Sequence, residues 1–410
     1  MTTTGARAIR NIDPARSGIS PWRAFKAKPE DWFDAAEIAK AKRYIKAIRI
    51  SNIIQRVLNI VVDVAVIRSH FFPNLLADLG LHNWVLDVVV VLAVLAVIGI
   101  VTNIGFQWWQ QMIYDKKWEF SNMTVGTFFA DLAKSLPLGI VVNTLLILPL
   151  WAIIRTTEAW WVVGWLVFSL LNVGFALIYP KFVAPLFNKF KPLDDEVLHA
   201  DLLSVAHGVG ADIEKVEVED ASKRDKRDNA YVAGAGKTRR IVLFDTILDR
   251  PHEQIRWVSA HEIGHWKLGH MMKRIPTILV LILLDFAALK LVIESDWVLD
   301  FAGVGSLGEP AAIPLFLLLL DVPFAVLGLA AAYMSRMAER EADLFGLEAV
   351  PEPEAAMASL RSLHVDNLAD LAPSLWKRLN HSHPPVAERL AMIQEWDRRT
   401  NGATSGYDNR

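Results

Sequence analysis

The chain has 410 residues, enough for two domains, of which 53% are apolar and only 21% are charged. A soluble chain of average composition carries about 25% charged residues, so this composition favours the membrane class. The formal net charge of −2 gives no general reason to expect a nucleic-acid partner, and none is predicted. The chain has no cysteine, which excludes disulfides, a thiolate nucleophile and a thiolate metal site.

Six apolar segments approach the roughly 20 residues that are needed to cross a bilayer. They lie at Ile53–Phe71, Trp84–Phe106, Leu138–Ile154, Trp160–Tyr179, Pro276–Ile293 and Pro314–Tyr333. The first is the weakest, because Gln55, Asn59 and Asp63 recur in it at helical spacing. A surface amphipathic helix is therefore the alternative for this segment. Pro137 and Gly139 leave the start of the third segment open.

Lysine and arginine are distributed unevenly among the connecting segments. Eleven of the 43 precede the first apolar segment, three separate the second and third, sixteen separate the fourth and fifth, and nine follow the sixth. The alternate connections carry almost none. By the positive-inside rule this pattern predicts six spans, with both termini and the long polar segments on the cytoplasmic side.

The predicted organisation follows from these segments. We expect a cytoplasmic N-terminal segment (residues 1–51), four transmembrane helices (52–180) and a first cytoplasmic piece (181–274). Two more transmembrane helices (275–334) and a second cytoplasmic piece (335–410) follow. Gly, Ser, Pro and Arg in residues 1–20, and the composition from about residue 400 onwards, predict flexible tails.

The first cytoplasmic piece shows helical and strand patterns in turn. DDEVLHADLLSVAHGVGA predicts an amphipathic helix, and KVEVED predicts a short strand. NAYVAG and RRIVLFDTIL predict a hairpin of two more strands. HEQIRWVSAHEIGHWKLGHMMK then predicts one helix. The piece is therefore expected to fold as an α+β domain.

A metal-site pattern lies in HEIGHWKLGH, His261–His270. His261 and His265 are four residues apart, so on a helix both rings project from one face. From that separation two imidazole nitrogens can reach one Zn²⁺ at about 2.0–2.1 Å. Glu262 lies beside such a metal, where it can take a proton from water. A pattern this short also arises by chance, but this one opens a polar segment on a predicted helix.

A catalytic zinc site needs a third protein ligand and one open position. The candidates are His270, His364, His381, His383 and the acids of SRMAEREADLFG. His270 lies about 140° around the helix from His265, which predicts a solvated surface histidine. Glu339 and Asp343 share a helix face, so Glu339 can ligate the metal while Asp343 accepts a hydrogen bond from a ligand histidine. Glu341 lies off this face and is predicted to pair with arginines; a solvated acidic face is the alternative for all three acids.

Several segments together resemble one family. HEIGHWKLGH, SRMAEREAD and NHSHPPVAERL, in that order, are similar to the type I CAAX prenyl endopeptidases, integral-membrane gluzincins that process farnesylated peptides. PKFVAPLFNKFKPL, SKRDKRDNAYVAG, RRIVLFDTIL and HVDNL also resemble family segments in the expected order. The resemblance covers the chain from about residue 30 to about residue 395.

This resemblance implies a fold and a metal site. The fold is a polytopic α-helical membrane protein, here with six transmembrane helices enclosing a chamber, and a cytoplasmic α+β zinc-metallopeptidase domain. The site holds one Zn²⁺ per chain on His261, His265 and Glu339, with Glu262 as the general base. Asp343 is the implied partner of a ligand histidine. For polar residues inside the spans, hydrogen bonds between helices are the alternative to a chamber lining.

The resemblance also implies how substrate is held. His383 lies near the scissile carbonyl and helps to bind substrate or to stabilise the oxyanion. Asn229, Ala230 and Tyr231 form an edge strand that pairs with an extended peptide. The alternatives are an ordinary turn histidine before two prolines and an ordinary strand of the sheet.

The expected function is zinc-dependent endoproteolysis at the membrane, similar to that of proteases which remove the C-terminal tripeptide of prenylated proteins. The expected partners are a peptide or protein, with or without a C-terminal lipid, and the bilayer. Eukaryotic members of the family usually have one more N-terminal span, so six spans replace seven here. The resemblance therefore supports the reaction more strongly than the prenylated substrate.

Four other functions share some of these sequence features. A heat-shock-type quality-control zinc peptidase without a prenyl requirement is the nearest alternative, although such proteins have fewer spans and lack the long N-terminal half. A site-2-type protease is disfavoured, because its zinc motif lies inside a span. An inactive scaffold or a transporter with the same fold belongs to a different class. The intact His261, Glu262, His265 and Glu339 argue against the scaffold, and the lack of internal repeats argues against the transporter.

Overall fold

A computed structural model of the chain describes residues 12–14, 16–234 and 238–400. Within it the chain forms two compact units. Unit 1 combines Met1–Lys46, Pro180–Arg274 and Ala330–Arg410, and unit 2 combines Ala47–Tyr179 and Ile275–Leu329. Each unit is thus assembled from segments that are distant in the sequence. The predicted C-terminal tail from about residue 400 lies outside the described residues.

Helices dominate both units. In the described residues the α-helices are α1 (Ala35–Arg68), α2 (Phe71–Leu79), α3 (Trp84–Trp108), α4 (Asp115–Lys117), α5 (Val125–Ile154), α6 (Trp160–Phe182), α7 (Ala184–Phe187), α8 (Glu196–Gly208), α9 (His252–Lys267), α10 (His270–Ile293), α11 (Asp296–Ala302), α12 (Ile313–Ala349), α13 (Pro353–Asp366), α14 (Leu375–Asn380) and α15 (Val386–Thr400). A π-helical turn, Trp109–Tyr114, joins α3 to α4. This mainly helical architecture confirms the predicted fold class.

Five helical stretches in the described part of the chain are long and apolar enough to cross a membrane by length and composition. They are Ala35–Arg68, Trp84–Lys117, Val125–Ile154, Trp160–Phe187 and His270–Ile293. Four of them contain the second to fifth predicted segments, and Ala35–Arg68 contains the weak first segment except for its last three residues. The third begins before Pro137 and Gly139, which both lie inside α5. The chain is therefore a multi-pass membrane protein.

The sixth predicted segment, Pro314–Tyr333, lies within α12. The apolar stretch found there among the described residues is Pro310–Asp321, which is shorter than a span. The predicted segment also includes residues 322–326, whose side chains are not described. The sixth span stays a prediction.

The polar stripe of the first segment is used in packing between helices. Asn59 Nδ2 of α1 donates a 3.1 Å hydrogen bond to Asn103 Oδ1 of α3, and Gln55 Nε2 donates to the same oxygen. By contrast, Asn143 and Asn172 donate to carbonyls one turn earlier in their own helices. Hydrogen bonds therefore account for several of the polar groups inside the apolar segments, since an amide without a partner is costly in lipid.

Unit 1 contains a four-stranded mixed sheet. Its strands are β1 (Phe190–Pro192), β2 (Lys215–Glu219), β3 (Ala230–Ala233) and β4 (Arg240–Phe244), in the spatial order β1-β2-β4-β3. β2 and β4 are parallel, while β1 pairs antiparallel with β2 and β3 pairs antiparallel with β4. The predicted strands and the predicted hairpin are confirmed. Strand β1, which has three residues and ends in proline, was not predicted from the sequence.

The core of unit 1 lies between this sheet and its helices. Alternate residues of β2 and β4 belong to this core cluster, as the period of two in a strand requires, while the other face of β4 is buried as well. Leu198 and Leu202 of the predicted amphipathic helix α8 belong to the same buried cluster. α9 contributes Ile255 and Ile263, which fixes this helix against the sheet. The helix that carries the metal pattern is thus held rigidly by apolar packing.

Part of the predicted N-terminal tail is packed against unit 1. Ile19 is 3% exposed and belongs to the same core cluster. Arg399 donates hydrogen bonds to the carbonyls of Ser17 and Gly18. The prediction of a flexible tail was therefore wrong for these residues, because an apolar side chain among the polar ones anchors the segment. Residues 1–11 and 15 lie outside the described residues.

The predicted motif helix is broken near its end. α9 ends at Lys267, and α10 begins at His270. Gly269 between them has φ +67°, a left-handed conformation that glycine adopts without steric cost. The expectation of one helix through Lys273 was wrong, because a glycine in this conformation ends a helix. His270 consequently starts a new direction of the chain.

Candidate metal centre

Close packing of α9 against α12 builds the site. A Cβ atom on Gly264, inside the HEIGH motif, would lie 2.9 Å from the ring of Phe345. A Cβ atom on Gly346 would lie 3.3 Å from Trp257 Nε1 and 3.4 Å from the backbone nitrogen of His261. Glycine at both positions lets the two helices approach closely. Residues that are separated by more than 70 positions in the sequence therefore meet across this contact.

Three ligand-type side chains converge there. Nε2 of His261 lies 3.1 Å from Nε2 of His265. Glu339 of α12 completes the group, with carboxylate oxygens 3.5 Å from His261 Nε2 and 3.3 Å from His265 Nε2. One ligand atom from each of the three residues lies within 4.8 Å of the others. Two imidazoles and a carboxylate around one point are the donor set of a catalytic zinc site.

The charges at this point suit a cation. Burial by itself lowers the pKa of His261, but Asp343 and Glu339 outweigh it and raise that pKa to about 10. Burial raises the pKa of Glu339, yet His261 and His265 outweigh it and hold that pKa well below its usual range. Glu339 Oε2 is buried and has no hydrogen-bond partner. The site therefore attracts positive charge and offers a bare carboxylate oxygen to a divalent ion, so the residues fit a metal.

A buried carboxylate supports His261 from behind. Asp343 Oδ1 lies 2.9 Å from His261 Nδ1, and Asp343 is 0% exposed. Arg389 of α15 donates two hydrogen bonds to this carboxylate, of 2.6 and 2.8 Å. Burial raises the pKa of Asp343, but Arg389 outweighs it and holds the pKa below its usual value. The carboxylate therefore stays charged beside His261 Nδ1.

His265 is supported differently. Its Nδ1 lies 2.9 Å from Nδ1 of His270, whose Nε2 lies 3.0 Å from Glu341 Oε2. His270 is only 5% exposed, so the prediction of a solvated surface histidine was wrong. The prediction assumed that His270 continues the helix of His265, but the helix ends at Gly269, and the His270 ring turns back towards His265. The predicted pairing of Glu341 with arginines was also wrong, since Glu341 bonds to His270.

Glu262 lies on a cleft of about 300 Å³ beside the three ligand-type residues. His261, Glu339 and His383 also line this cleft. Burial raises the pKa of Glu262 to about 7, so its carboxyl group can both take up and release a proton near neutral pH. The cleft thus combines a proton-transfer group with the metal-type donors.

His383 reaches the same place from the C-terminal segment. Its Nε2 lies 3.4 Å from Glu339 Oε1, and its side chain is 59% exposed. Ser382 Oγ lies 3.0 Å from its Nδ1. Arg336 of α12 donates hydrogen bonds to the carbonyls of Leu379 and His381, which anchors the segment just before His383. An exposed imidazole is therefore held beside the three ligand-type residues, where a substrate can reach it.

The strand predicted to bind peptide lies at an edge of the sheet. β3 has β4 as its only neighbour in the described sheet order, so its other side is open. Asn229 and Ala230 line the cleft. The hydroxyl of Tyr231 instead donates a 2.8 Å hydrogen bond to Glu219 Oε2. Two of the three predicted strand residues therefore reach the cleft, while the Tyr231 side chain fixes the strand to β2.

Two further residues line the cleft: Arg389, which was not predicted from the sequence, and His364, which was predicted only as one of several candidates for the third ligand. Arg389 had a visible signal, because it occupies the apolar face of α15 together with Val386, Leu390 and Ile393. An arginine at such a position is almost always paired with an acid. His364 Nδ1 donates a 2.7 Å hydrogen bond to the Leu360 carbonyl, and burial lowers its pKa to about 4. Nothing in the sequence distinguished it from the other candidate histidines.

A metal-type triad, an adjacent carboxyl group and an open cleft next to a sheet edge together define the site of a metallopeptidase. Comparison with known proteins identifies the family. Residues 192–397 match Peptidase family M48, and residues 23–189 match the CAAX prenyl protease N-terminal family, which has five membrane helices. The chain therefore belongs to Peptidase family M48.

Named relatives support the same assignment. The chain is 29% identical over 330 residues to "CAAX prenyl protease 1 homolog" of Oryza sativa subsp. japonica, covering 78% of this chain and 76% of the relative. It is 26% identical over 397 residues to "CAAX prenyl protease 1" of Saccharomyces cerevisiae, covering 89% and 87%. The crystal structure of S. mikatae Ste24p superposes with a TM-score of 0.81 over 91% of this chain and 93% of that one, at 24% identity. This structural likeness shows a shared fold.

The chain is thus an integral-membrane metalloendopeptidase that acts on a peptide or protein substrate. These findings confirm the family and enzyme class expected from the sequence, and they do not favour the quality-control alternative. Four of the five candidate spans lie within residues 23–189, against the five membrane helices that the matching family description names.

Proposed function

We propose that this chain is a zinc endopeptidase which cleaves lipidated peptides near their C-terminus, on the cytoplasmic side of a membrane. The observation that carries the proposal is the convergence of His261, His265 and Glu339 at an open cleft that Glu262 also lines. Relatives that are named CAAX prenyl protease 1 support the substrate class. The distribution of lysine and arginine supports the cytoplasmic side.

His261, His265 and Glu339 hold the metal in this proposal. Two imidazoles and one carboxylate favour zinc among the common metals, and they leave a coordination position for water or substrate. When bound, zinc supplies Lewis acidity and lowers the pKa of water. Asp343 and Arg389 keep His261 in the tautomer with its proton on Nδ1, which leaves Nε2 free to ligate.

Glu262 moves the protons. Its carboxylate takes a proton from the attacking water as the water oxygen adds to the scissile carbonyl carbon. It then gives that proton to the leaving amine as the carbon–nitrogen bond breaks, so the products are a free amine and a carboxylic acid, which releases its remaining proton to water. The raised pKa of Glu262, about 7, suits a group that must do both at neutral pH.

His383 and β3 position the substrate. The extended peptide pairs with the open edge of β3 at Asn229 and Ala230, which directs its scissile bond along the cleft towards Glu262. His383 is exposed beside Glu339, where its Nε2 can donate a hydrogen bond to the developing oxyanion. The Tyr231 hydroxyl holds the strand in place through Glu219.

Cleavage of matched peptides tests the proposal. A farnesylated CAAX peptide and its unlipidated twin are incubated with the purified wild type and with Glu262→Ala. We expect the wild type to cleave the farnesylated peptide faster and Glu262→Ala to cleave neither. Equal cleavage by both proteins would remove the role of Glu262. Preference of the wild type for the unlipidated peptide would remove the lipid requirement and leave the peptidase intact.

Zinc content tests the ligand set. Glu339→Gln is expected to lose zinc, measured by elemental analysis after dialysis against a weak chelator. The matched control is Glu348→Gln on the same helix, where Glu348 accepts a hydrogen bond from Trp396. Normal zinc in Glu339→Gln would exclude Glu339 as a ligand. Loss of zinc in both variants would show that α12 as a whole had been disturbed.

Sidedness can be tested because the native chain has no cysteine. Glu354 of α13 is exposed, so Glu354→Cys offers a single thiol on unit 1. We expect a membrane-impermeant maleimide to label it in inverted vesicles and not in right-side-out vesicles. The reverse result would place unit 1 on the other side of the membrane.

A further inference from the structure

His270 and Glu341 have no part in the reaction described above, yet they form a continuous contact with a ligand-type histidine. We propose that they are positioning residues, which fix the tautomer and orientation of His265 so that its Nε2 faces the metal. This inference rests on the proposed ligand set. It adds a role that the sequence did not predict, since His270 was expected on the surface and Glu341 was expected to pair with arginines.

The positions of the ring protons of His265 and His270 follow from the number of N–H groups that each ring carries. A neutral imidazole carries one N–H group, and a nitrogen that ligates a metal must be free of its proton. Nε2 of His265 faces Glu339 and His261, so its proton must lie on Nδ1. The neighbouring atom 2.9 Å away is Nδ1 of His270, which must then be the acceptor.

The same reasoning gives the direction of the hydrogen bond between His270 and Glu341. Because Nδ1 of His270 accepts, the proton of that ring lies on Nε2. That nitrogen is 3.0 Å from Glu341 Oε2 and donates to it. Glu341 therefore determines the tautomer of His270, and His270 determines the tautomer of His265. A change at either position releases His265 to rotate or to carry its proton on the wrong nitrogen.

Burial and chain direction make this arrangement specific. His270 is 5% exposed, so a wrong tautomer would leave a ring nitrogen without a partner and away from water. The left-handed Gly269 turns the chain so that the His270 ring meets the His265 ring, with centroids 5.0 Å apart. Glu341 is two residues from Glu339, so one helix supplies both a ligand and the end of this support. A ring that was present only for packing would not need both nitrogens paired.

The test uses two substitutions of His270. His270→Asn keeps an acceptor oxygen near the place of Nδ1, whereas His270→Phe keeps the ring and removes the acceptor. Zinc affinity is measured on the full-length protein in detergent, by competition with a chromophoric chelator. Loss of an outer partner of a metal ligand typically costs 10–100-fold in metal affinity. We expect a loss of about that size for His270→Phe, and a loss within about threefold for His270→Asn, because its oxygen rescues the hydrogen bond.

Controls separate this role from a general defect. His207→Phe removes a histidine that bonds the Ile213 carbonyl elsewhere in unit 1, and it is expected to leave zinc affinity unchanged. Equal affinity of wild type and His270→Phe would overturn the inference, as would equal losses in His270→Phe and His270→Asn. If His270→Phe does not fold, Glu341→Leu against Glu341→Gln gives the same contrast, since only Gln retains an acceptor. Equal zinc affinity in that pair would count against the inference.

His265→Ala distinguishes the two levels of the argument. If His265→Ala keeps wild-type zinc affinity, then His265 is not a ligand and the proposed ligand set fails. If His265→Ala loses zinc while His270→Phe does not, then the ligand set stands and only the positioning role fails.

Discussion

His261 and His265 lie one turn apart on α9, and each directs Nε2 towards Glu339, but their Nδ1 atoms meet different surroundings. His261 faces a carboxylate directly, and that carboxylate is fully buried and held by Arg389. His265 faces a second histidine, which relays to Glu341, a carboxylate whose side chain is 25% exposed. The two histidines of the motif are therefore supported by two sets of residues with different chemistry. We call Asp343 with Arg389 the deeper arm, and His270 with Glu341 the shallower arm.

The different burial of the two carboxylates, Asp343 and Glu341, explains why the two histidines have different partners. A carboxylate that is removed from water needs a counter-charge, because its solvation is otherwise lost, and Arg389 supplies that charge to Asp343. Glu341 keeps part of its solvation and needs no arginine. Because Glu341 lies nearer the surface, it contacts His265 only through His270, which lies between them. The comparison teaches that the surroundings of the outer group, more than the ligand motif, determine which residue type can support each ligand.

The largest effect is expected from a change that touches neither arm. Glu262→Gln should lower kcat/KM by about 10²–10⁴-fold, the range of a general base, while zinc content stays at the wild-type value. Peptide cleavage and elemental analysis on the same sample give both numbers. A parallel loss of zinc would mean that Glu262 belongs to the support of the metal and not to proton transfer.

The deeper arm is expected to be the more sensitive one for folding. Asp343→Ala leaves the buried Arg389 without its main partner, which typically costs about 3–5 kcal/mol. Glu341→Ala removes one hydrogen bond at a partly exposed site and should cost no more than about 1.5 kcal/mol. Thermal unfolding of the metal-free proteins compares the two substitutions. Equal drops in Tm would break the distinction between the arms.

The contact between α9 and α12 serves both arms at once. Gly264→Ala places a methyl group 2.9 Å from the buried ring of Phe345, so the helices must separate. Overpacking of this kind costs about 1–3 kcal/mol, and zinc affinity should fall with it. Gly208→Ala at the end of α8 is the control, because a Cβ atom there meets nothing within 4 Å. Unchanged zinc binding in Gly264→Ala would show that the ligands tolerate such a shift.

The smallest effect concerns a histidine that has no carboxylate support. Burial lowers the pKa of His364 to about 4, from an ordinary value of 6.5. The unfolded chain therefore binds a proton at this residue before the folded chain does, and its contribution to stability is lost as pH falls from 6.5 towards 4. Partial exposure to the cleft limits this to about 1–2 kcal/mol.

His364→Asn tests this expectation, because an amide keeps the donor to the Leu360 carbonyl and does not titrate. The Tm of this variant should depend less steeply on pH between 6.5 and 4 than the Tm of the wild type. Curves of equal slope would show that His364 does not carry this part of the acid sensitivity.

Local patterns predicted the elements well where one physical rule dominated. Apolar length gave the first five spans, and alternation gave β2, β3 and β4. Predictions were less accurate where a residue's position depends on distant segments or on where a helix ends. The strand β1 was missed because its register depends on β2, and His270 was misplaced because a single glycine conformation ended the helix before it.

The sequence alone determined which residues could do chemistry, because the spacing of His261 and His265 and that of Glu339 and Asp343 place each pair on one helix face. Only the tertiary structure decided how those pairs meet. Gly264 and Gly346 let α9 and α12 approach, Arg389 arrives from α15, and His270 returns to His265 through the turn at Gly269. The physical reason is that helix periodicity is local, whereas the burial of a charge and the partner that balances it depend on segments distant in the chain.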